Sequence, residues 1–177
     1  MGRRGGGAGG NLHRQPGAPA KPQGKPQRLN SHSRKGTTRM LEIITTTRNA
    51  RVPVTVIGIK GEIDSSNYKV FQARAEETIA NGARYLLLDM KDVSYISSAG
   101  LRVIHTLFNK LREFHKDVND DELRRRMSAG AYKSPYLKIG HIAERVKEAF
   151  ELSGFDVYIE VHPDVQTALE SFQPFAD

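Results

Sequence analysis

"DVSYISSAGLRVI", residues Asp92 to Ile104, lies near the middle of the chain and contains a junction between two elements. Its first half is typical of a β-strand and its second half of a helix, with two serines at the joint. A helix N-terminus leaves four backbone N–H groups unpaired and carries a partial positive charge. Ser97 or Ser98 can therefore cap the helix, and a phosphate on either hydroxyl would lie where the field favours an anion. The residues alone leave both roles open.

The helix after this joint has the clearest pattern of the chain. Its apolar stripe is formed by Leu101, Ile104, Phe108 and Leu111, and it is widened by Val103, Leu107 and Phe114. Polar residues occupy the opposite face at the same spacing. His105 lies on the boundary between the two faces, which favours a histidine without a catalytic role.

The elements before this helix alternate between strand and helix patterns. "MLEIITTT" and "VPVTVIGIKGEI" predict a pair of strands. Asp64 then offers a helix cap before "SSNYKVFQARAEETIANGA", and Gly82 follows the last turn of that helix. "RYLLLDM" is a short apolar run, which is typical of a strand covered on both faces.

The elements after it continue the alternation. "PYLKIGH" and "DVYIEV" predict strands, and "IAERVKEAFELSGF" predicts a helix that ends at Gly154. "PDVQTALESF" predicts a last helix with Pro163 near its first turn. The order β-β-α-β-α-β-α-β-α indicates an α/β fold in which a mixed β-sheet is flanked by helices.

One segment does not fit this alternation. Residues 117–133, "DVNDDELRRRMSAGAYK", are longer and more polar than a helix-to-strand connection needs to be. Within them "RRRMS", Arg124 to Ser128, resembles a basic-directed phosphorylation site or a nucleic-acid patch. The acidic residues just before it favour a charged surface turn whose side chains pair with one another.

The basic charge of the chain is confined to its first residues. Residues 1–39 hold nine of the 27 Lys and Arg and no acidic residue, so the remainder carries 18 basic against all 20 acidic side chains. We therefore expect no direct DNA binding by the folded domain. Residues 1–39 themselves are predicted to be a disordered basic tail, either a solvated extension or an arm for nucleic acid or anionic lipid. Translation that begins at Met40 is a further hypothesis.

Few residues in the chain offer catalytic chemistry. There is no cysteine, no phosphate-binding loop and no metalloprotease motif, and the six histidines are scattered. The apolar runs are too short to cross a bilayer. We expect a cytoplasmic protein without enzymatic activity, cofactor, metal or membrane span.

Three blocks of the sequence resemble a known family. "GEID" (Gly61–Asp64), "YLLLDMKDVSYISSAGLRVI" (Tyr85–Ile104) and "FELSGFD" (Phe150–Asp156) are similar, in this order, to the STAS domain of anti-sigma-factor antagonists. The resemblance implies a STAS-type fold over residues 40–177, interrupted by the inserted polar segment at about 117–133. It covers most of the chain outside the predicted tail.

The resemblance also implies a phosphorylation switch. The unphosphorylated antagonist of this family binds an anti-sigma factor serine kinase and so frees a sigma factor. The kinase, which brings its own ATP and Mg²⁺, phosphorylates a serine at the start of the second helix, and a serine phosphatase reverses this. The alternative is a STAS scaffold subunit of a lipid-transport or signalling complex, without a working switch.

The family motif is Asp-Ser-Ser/Thr-Gly-Leu, with the phospho-acceptor directly after the Asp. Laid onto this chain it makes Ser98 the acceptor and Ser97, at the Asp position, the second choice. Asp64 matches an acidic residue that lies near this serine in the family. The residues expected to contact the partner are Asp64, Ser97, Ala99, Gly100 and Arg102.

Overall fold

The computed structural model describes residues 40–175, which form five strands and five α-helices. The strands are β1 (Glu42–Asn49), β2 (Pro53–Ile63), β3 (Leu86–Ile96), β4 (Leu137–Gly140) and β5 (Glu160–His162). The helices are α1 (Tyr68–Ala80), α2 (Ser98–Phe114), α3 (Asp120–Ser128), α4 (Glu144–Leu152) and α5 (Val165–Glu170). The expectations for residues 1–39, disorder and a start at Met40, concern residues outside this range. No helix in the described part of the chain is both long and apolar enough to cross a membrane.

The five strands form one mixed sheet in the order β1-β2-β3-β4-β5. β1 and β2 form an antiparallel hairpin, and the later strands are parallel neighbours joined through helices. Parallel strands need such crossover connections, and a constant crossover hand places their helices on one face. The predicted mixed α/β sheet and its element order are confirmed, with α3 as one additional helix.

Each face of the sheet has its own apolar core, because successive side chains of a strand point to opposite faces. On one face Ile57 of β2 and Leu88 of β3 pack against Phe71 of α1 and Ile104 of α2. On the other face Leu87 of β3 packs with residues of β2 and α5. The prediction that "RYLLLDM" is covered on both faces therefore agrees with the structure.

Two local predictions were wrong, and two others agree with the structure. Phe114 is 52% exposed rather than part of the core, and the Arg84 guanidinium lies 3.5 Å from the centre of its ring. "DVYIEV" is only partly a strand, since residues 155–157 form a 3-10 turn before β5. Pro163 lies next to the first turn of α5 as predicted, directly before the N-cap Asp164. Gly154 does end α4 as predicted, in the left-handed conformation that glycine tolerates.

Residues 117–133 are more ordered than a surface turn. They contain α3, and Leu123 on that helix is buried in the main core. Arg112 of α2 donates hydrogen bonds to the carbonyl oxygen of Val118, at 2.8 Å, and to Asp120, at 2.6 Å. The insert is therefore packed against the end of α2.

Candidate functional site

The site that the sequence indicates lies where β2 and β3 end and α2 begins. Ile63 and Ile96 are register partners on these two parallel strands. The backbone N–H of Ser97 donates to the Ile63 carbonyl at 2.8 Å, so the start of α2 is attached directly to the end of β2. Because carboxyl ends of parallel strands share one edge of a sheet, Asp64 and Ser97 follow adjacent strand ends.

β3 reaches this edge through two irregularities in its pairing with β2. The register shifts between Gly58 and Lys60 and again between Gly61 and Glu62, so β3 contains two extra residues. Such bulges bend a strand and redirect its side chains. Tyr95, the residue before Ile96, is 47% exposed at the end of the strand, beyond the part of β3 that pairs with β4.

Ser97 is the N-cap of α2. Its backbone is extended and its hydroxyl oxygen accepts a hydrogen bond from the Gly100 N–H at 3.2 Å. Its carbonyl oxygen accepts the first intrahelical bond, from Leu101, at 2.9 Å. The Ser97 side chain is half-buried and already engaged in satisfying the helix terminus.

Ser98 is the first residue of α2 and its surroundings differ from those of Ser97. Its side chain is exposed, and within residues 40–175 its hydroxyl has no hydrogen-bond partner. Around it lie the unpaired N–H groups and the positive end of the helix dipole, which favour a negative charge at this position. The structure thus distinguishes the two serines, since Ser97 caps the helix and Ser98 does not.

Gly100 fixes how closely α2 approaches the sheet. It is buried, and a Cβ atom there would lie 2.7 Å from Cγ2 of Ile63 and 2.8 Å from Cγ1 of Ile96. The glycine therefore serves helix packing rather than access to the Ser98 hydroxyl. Of the other two residues expected at the partner interface, Ala99 is half-buried and Arg102 is exposed.

Asp64 does not cap α1, contrary to one of its predicted roles. The N-cap of α1 is Asn67, which makes no side-chain capping hydrogen bond. Asp64 instead closes the turn before the helix, where it accepts hydrogen bonds from the Ser66 hydroxyl at 2.6 Å and the Ser66 N–H at 2.8 Å. These hydrogen bonds lower the pKa of Asp64 below its usual value.

An apolar groove adjoins the start of α2, and the sequence did not indicate it. It has a volume of about 370 Å³ and lies between the end of β3 and α4. Its lining consists of Tyr95, Ile96, Arg145, Val146, Glu148, Ala149 and Leu152. Leu152 is 83% exposed, which is unusual for a leucine and marks the groove as a surface that can bind apolar groups. The only sequence signal was the position of Leu152 inside "FELSGFD".

The other candidates from the sequence have structural roles. His105 Nδ1 lies 2.9 Å from the Tyr158 hydroxyl, and burial lowers the pKa of its imidazole. Among the described residues no cluster of three or more His, Asp or Glu side chains is arranged to hold a metal ion. In α3, Arg126 Nε donates to Glu122 at 2.6 Å and Arg125 pairs with the same carboxylate. The expected pairing of charges within "RRRMS" and its neighbours is therefore present, on a helix.

Comparison with known proteins concerns the family and the fold of the chain. Residues 44–115, which include β2, β3, the joint and the whole of α2, match the family model of the STAS domain. The resemblance to the STAS domain is confirmed. A curated relative is the putative anti-sigma factor antagonist BtrV of Bordetella bronchiseptica, 27% identical over 115 residues, or 65% of this chain and 83% of that protein.

Solved structures share the fold of this chain. An anti-sigma factor antagonist from Mycobacterium paratuberculosis is 17% identical, with a TM-score of 0.52 over 72% of this chain and 92% of that one. The anti-sigma factor antagonist SpoIIAA in its unphosphorylated form is 14% identical, with a TM-score of 0.54 over 77% of this chain and 99% of that one. At these identities the likeness shows the fold alone, and it extends beyond the residues of the STAS match.

Proposed function

We propose that this chain is an anti-sigma factor antagonist with a STAS domain over residues 40–177. Its unphosphorylated form binds an anti-sigma factor serine kinase in the cytoplasm and so releases a sigma factor. Phosphorylation of Ser98 blocks this binding, and a serine phosphatase restores it. The chain has no enzymatic activity of its own in this scheme, and ATP and Mg²⁺ belong to the kinase.

This proposal rests on the different structural roles of Ser97 and Ser98. Ser97 already holds a cap contact to Gly100, whereas Ser98 is exposed at the first position of α2. A kinase can reach the Ser98 hydroxyl without breaking a hydrogen bond of the fold. The names of BtrV and SpoIIAA, and the determination of SpoIIAA in an unphosphorylated form, support the same scheme.

The block acts through charge in a docking surface. A phosphate at Ser98 would carry about −1.5 to −2 charges, held at a helix N-terminus that stabilises it. The fold therefore survives phosphorylation. A partner that covers Ser98 must bury this dianion, and burial of an unpaired charge costs several kcal/mol. The apolar groove beside it, with Tyr95 and Leu152, supplies the area that the unmodified surface offers to the partner.

A sigma-release assay tests this function. The chain is added to a preformed complex of the candidate anti-sigma factor with its sigma factor, and free sigma factor is measured by native mass spectrometry. We expect release by the wild type, and loss of release after preincubation with the kinase and ATP. Ser98→Ala should release sigma factor with or without ATP. If the wild type never releases sigma factor from any candidate complex, the antagonist function is wrong and the non-switching scaffold takes its place.

A further inference from the structure

β1 forms a free edge of the sheet among the described residues. It pairs with β2 on one side, over eight residues and without a register shift. In an antiparallel pair every second residue of an edge strand directs its N–H and C=O away from its neighbour. Proteins usually protect such edges with proline, bulges, short strands or inward charges. β1 has none of these between Ile43 and Thr47.

The composition of β1 favours a further strand beside it. Its central residues are "IITTT", all β-branched, and this class of side chain packs well between neighbouring strands. Every residue of β1 except Ile43 is exposed, and Ile44 is 57% exposed. A strand added at this edge would cover Ile44 and satisfy the outward backbone groups.

The two charges of β1 make this edge complementary to itself. Glu42 and Arg48 lie near its two ends and, being six residues apart, point to the same face. Two copies of β1 that pair antiparallel around a two-fold axis at Thr45 would place Glu42 opposite the second copy's Arg48, twice. A register shifted by two residues in either direction loses both ion pairs. In the present structure Glu42 has only a loose contact, 3.9 Å, with Lys60.

We propose that β1 is a dimerisation edge, which pairs with β1 of a second copy of this chain in the register centred on Thr45. The two five-stranded sheets then form one continuous sheet of ten strands, with an isologous interface. The edge is separated from β3 and α2 by β2, so this contact uses a different part of the molecule from the candidate site. The inference is independent of the proposed function.

Charge reversal tests the ion pairs of this interface. The full chain is studied by sedimentation equilibrium, and we expect a species of twice its 19.7 kDa mass. Glu42→Arg or Arg48→Glu places like charges in both symmetric contacts, which should raise the dimer Kd roughly tenfold or more. The double variant exchanges the charges and should restore the wild-type Kd. Lys147→Glu, which alters a charge on α4 beside β5 at the opposite edge of the sheet, should leave the Kd unchanged.

Cysteine cross-linking tests the register, because the chain contains no cysteine of its own. Thr45→Cys brings the two introduced thiols together at the axis, within the Cα separation of about 7 Å that a disulfide requires. In Thr47→Cys the two copies are offset by four residues, about 13 Å, so no disulfide should form. After mild oxidation, non-reducing gel electrophoresis should show a covalent dimer for Thr45→Cys and not for Thr47→Cys.

Three results would overturn the proposal. One is a chain that stays monomeric up to roughly 1 mM, which is a concentration at which even weak specific association is detected. Another is a dimer whose Kd is unchanged by the single charge reversals, or whose Kd is not restored in the double variant. The third is equal cross-linking of both cysteine variants, or of neither. Each result would mean that β1 does not pair with a second copy in this register, and that its edge is open to a different strand, such as an extended peptide of another protein.

Discussion

Ser98 and Ser128 lie at opposite ends of two helices, so a phosphate would experience opposite helix-dipole charges at the two serines. Both are exposed, but Ser98 is the first residue of α2 whereas Ser128 is the last residue of α3. A negative charge is stabilised by the positive end of a helix and destabilised by the negative end. A phosphate is therefore compatible with the fold at Ser98 and opposes the helix at Ser128.

The neighbours of the two serines differ in the same sense. Ser128 follows three arginines, yet those arginines are paired within α3, two of them with Glu122 and the third with Asp121 at 3.5 Å. As a result of this pairing, the hydrogen bond from Arg126 lowers the pKa of Glu122 below its usual value. A basic motif whose charge is already matched attracts an anion less than its sequence indicates. The position of a serine in its helix therefore indicates better than a basic motif whether a phosphate is favoured there.

The largest expected difference between the two serines concerns partner affinity. Ser98→Asp should weaken binding to the anti-sigma factor about 100-fold or more, which corresponds to about 3 kcal/mol, because the added carboxylate is desolvated in the interface. Ser128→Asp should change the Kd less than about twofold. Isothermal titration calorimetry with both variants measures this directly. Equal losses of affinity would mean that the docking surface includes the insert as much as the start of α2.

The next effect concerns how the start of α2 is held. Gly100→Ala should destabilise the domain by roughly 1–3 kcal/mol, since the new methyl group overlaps Ile63 and Ile96. Gly58→Ala is the matched control, because its Cβ would meet only the Ile44 carbonyl oxygen at 3.6 Å, an ordinary contact. Urea denaturation gives both free energies of unfolding. A Gly100→Ala variant as stable as wild type would show that the first turn of α2 can shift.

The N-cap side chains of α2 and α3 should contribute equally to the stability of the domain. Ser97→Ala and Asn119→Ala each remove a side-chain acceptor of a backbone N–H, from Gly100 and Glu122 respectively, and should each cost about 1 kcal/mol. Ser98→Ala should cost less than about 0.5 kcal/mol, because its hydroxyl makes no such contact. Thermal unfolding of the three variants measures this. A larger cost for Ser98 than for Ser97 would reverse their assigned roles.

The smallest effect has opposite signs at the two serines. Ser98→Asp should raise the free energy of unfolding by about 0.3–1 kcal/mol, and Ser128→Asp should lower it by a similar amount, through the helix dipole alone. The melting temperatures should therefore shift upward and downward by a few degrees. The shifts should shrink at high salt, which screens exposed charges. If Ser98→Asp were destabilising, loss of binding by that variant would reflect damage to the fold rather than a charge block.

The sequence predicted the fold well because hydrophobic periodicity is a local property. Each correct prediction used residues of a single element: the apolar stripe of α2, the buried run of β3 or the glycine at the end of α4. The predictions failed where one element acts on another. Phe114 continues the apolar period of α2, but the helix leaves the core there and Arg84 lies over the ring instead.

The candidate site was predictable only in part for the same reason. The order of the two serines could be read from the chain, but which of them caps α2 depends on the backbone entering the helix at Ser97. The groove at Tyr95 and Leu152 depends on how α4 is placed against the end of β3, and such placement has no short-range signal. The helix in the insert did have a short-range signal, because its acidic and basic residues are spaced three and four apart.

Mapping the phosphate tests directly whether Ser98 is the residue that becomes phosphorylated. The full chain, Ser98→Ala and Ser97→Ala are incubated with the candidate serine kinase and ATP, and the modified residue is located by tandem mass spectrometry. We predict one phosphate on Ser98 in the wild type and in Ser97→Ala, and none in Ser98→Ala. A phosphate on Ser97 or Ser128 instead, or no phosphate on Ser98 with any candidate kinase, would contradict the account.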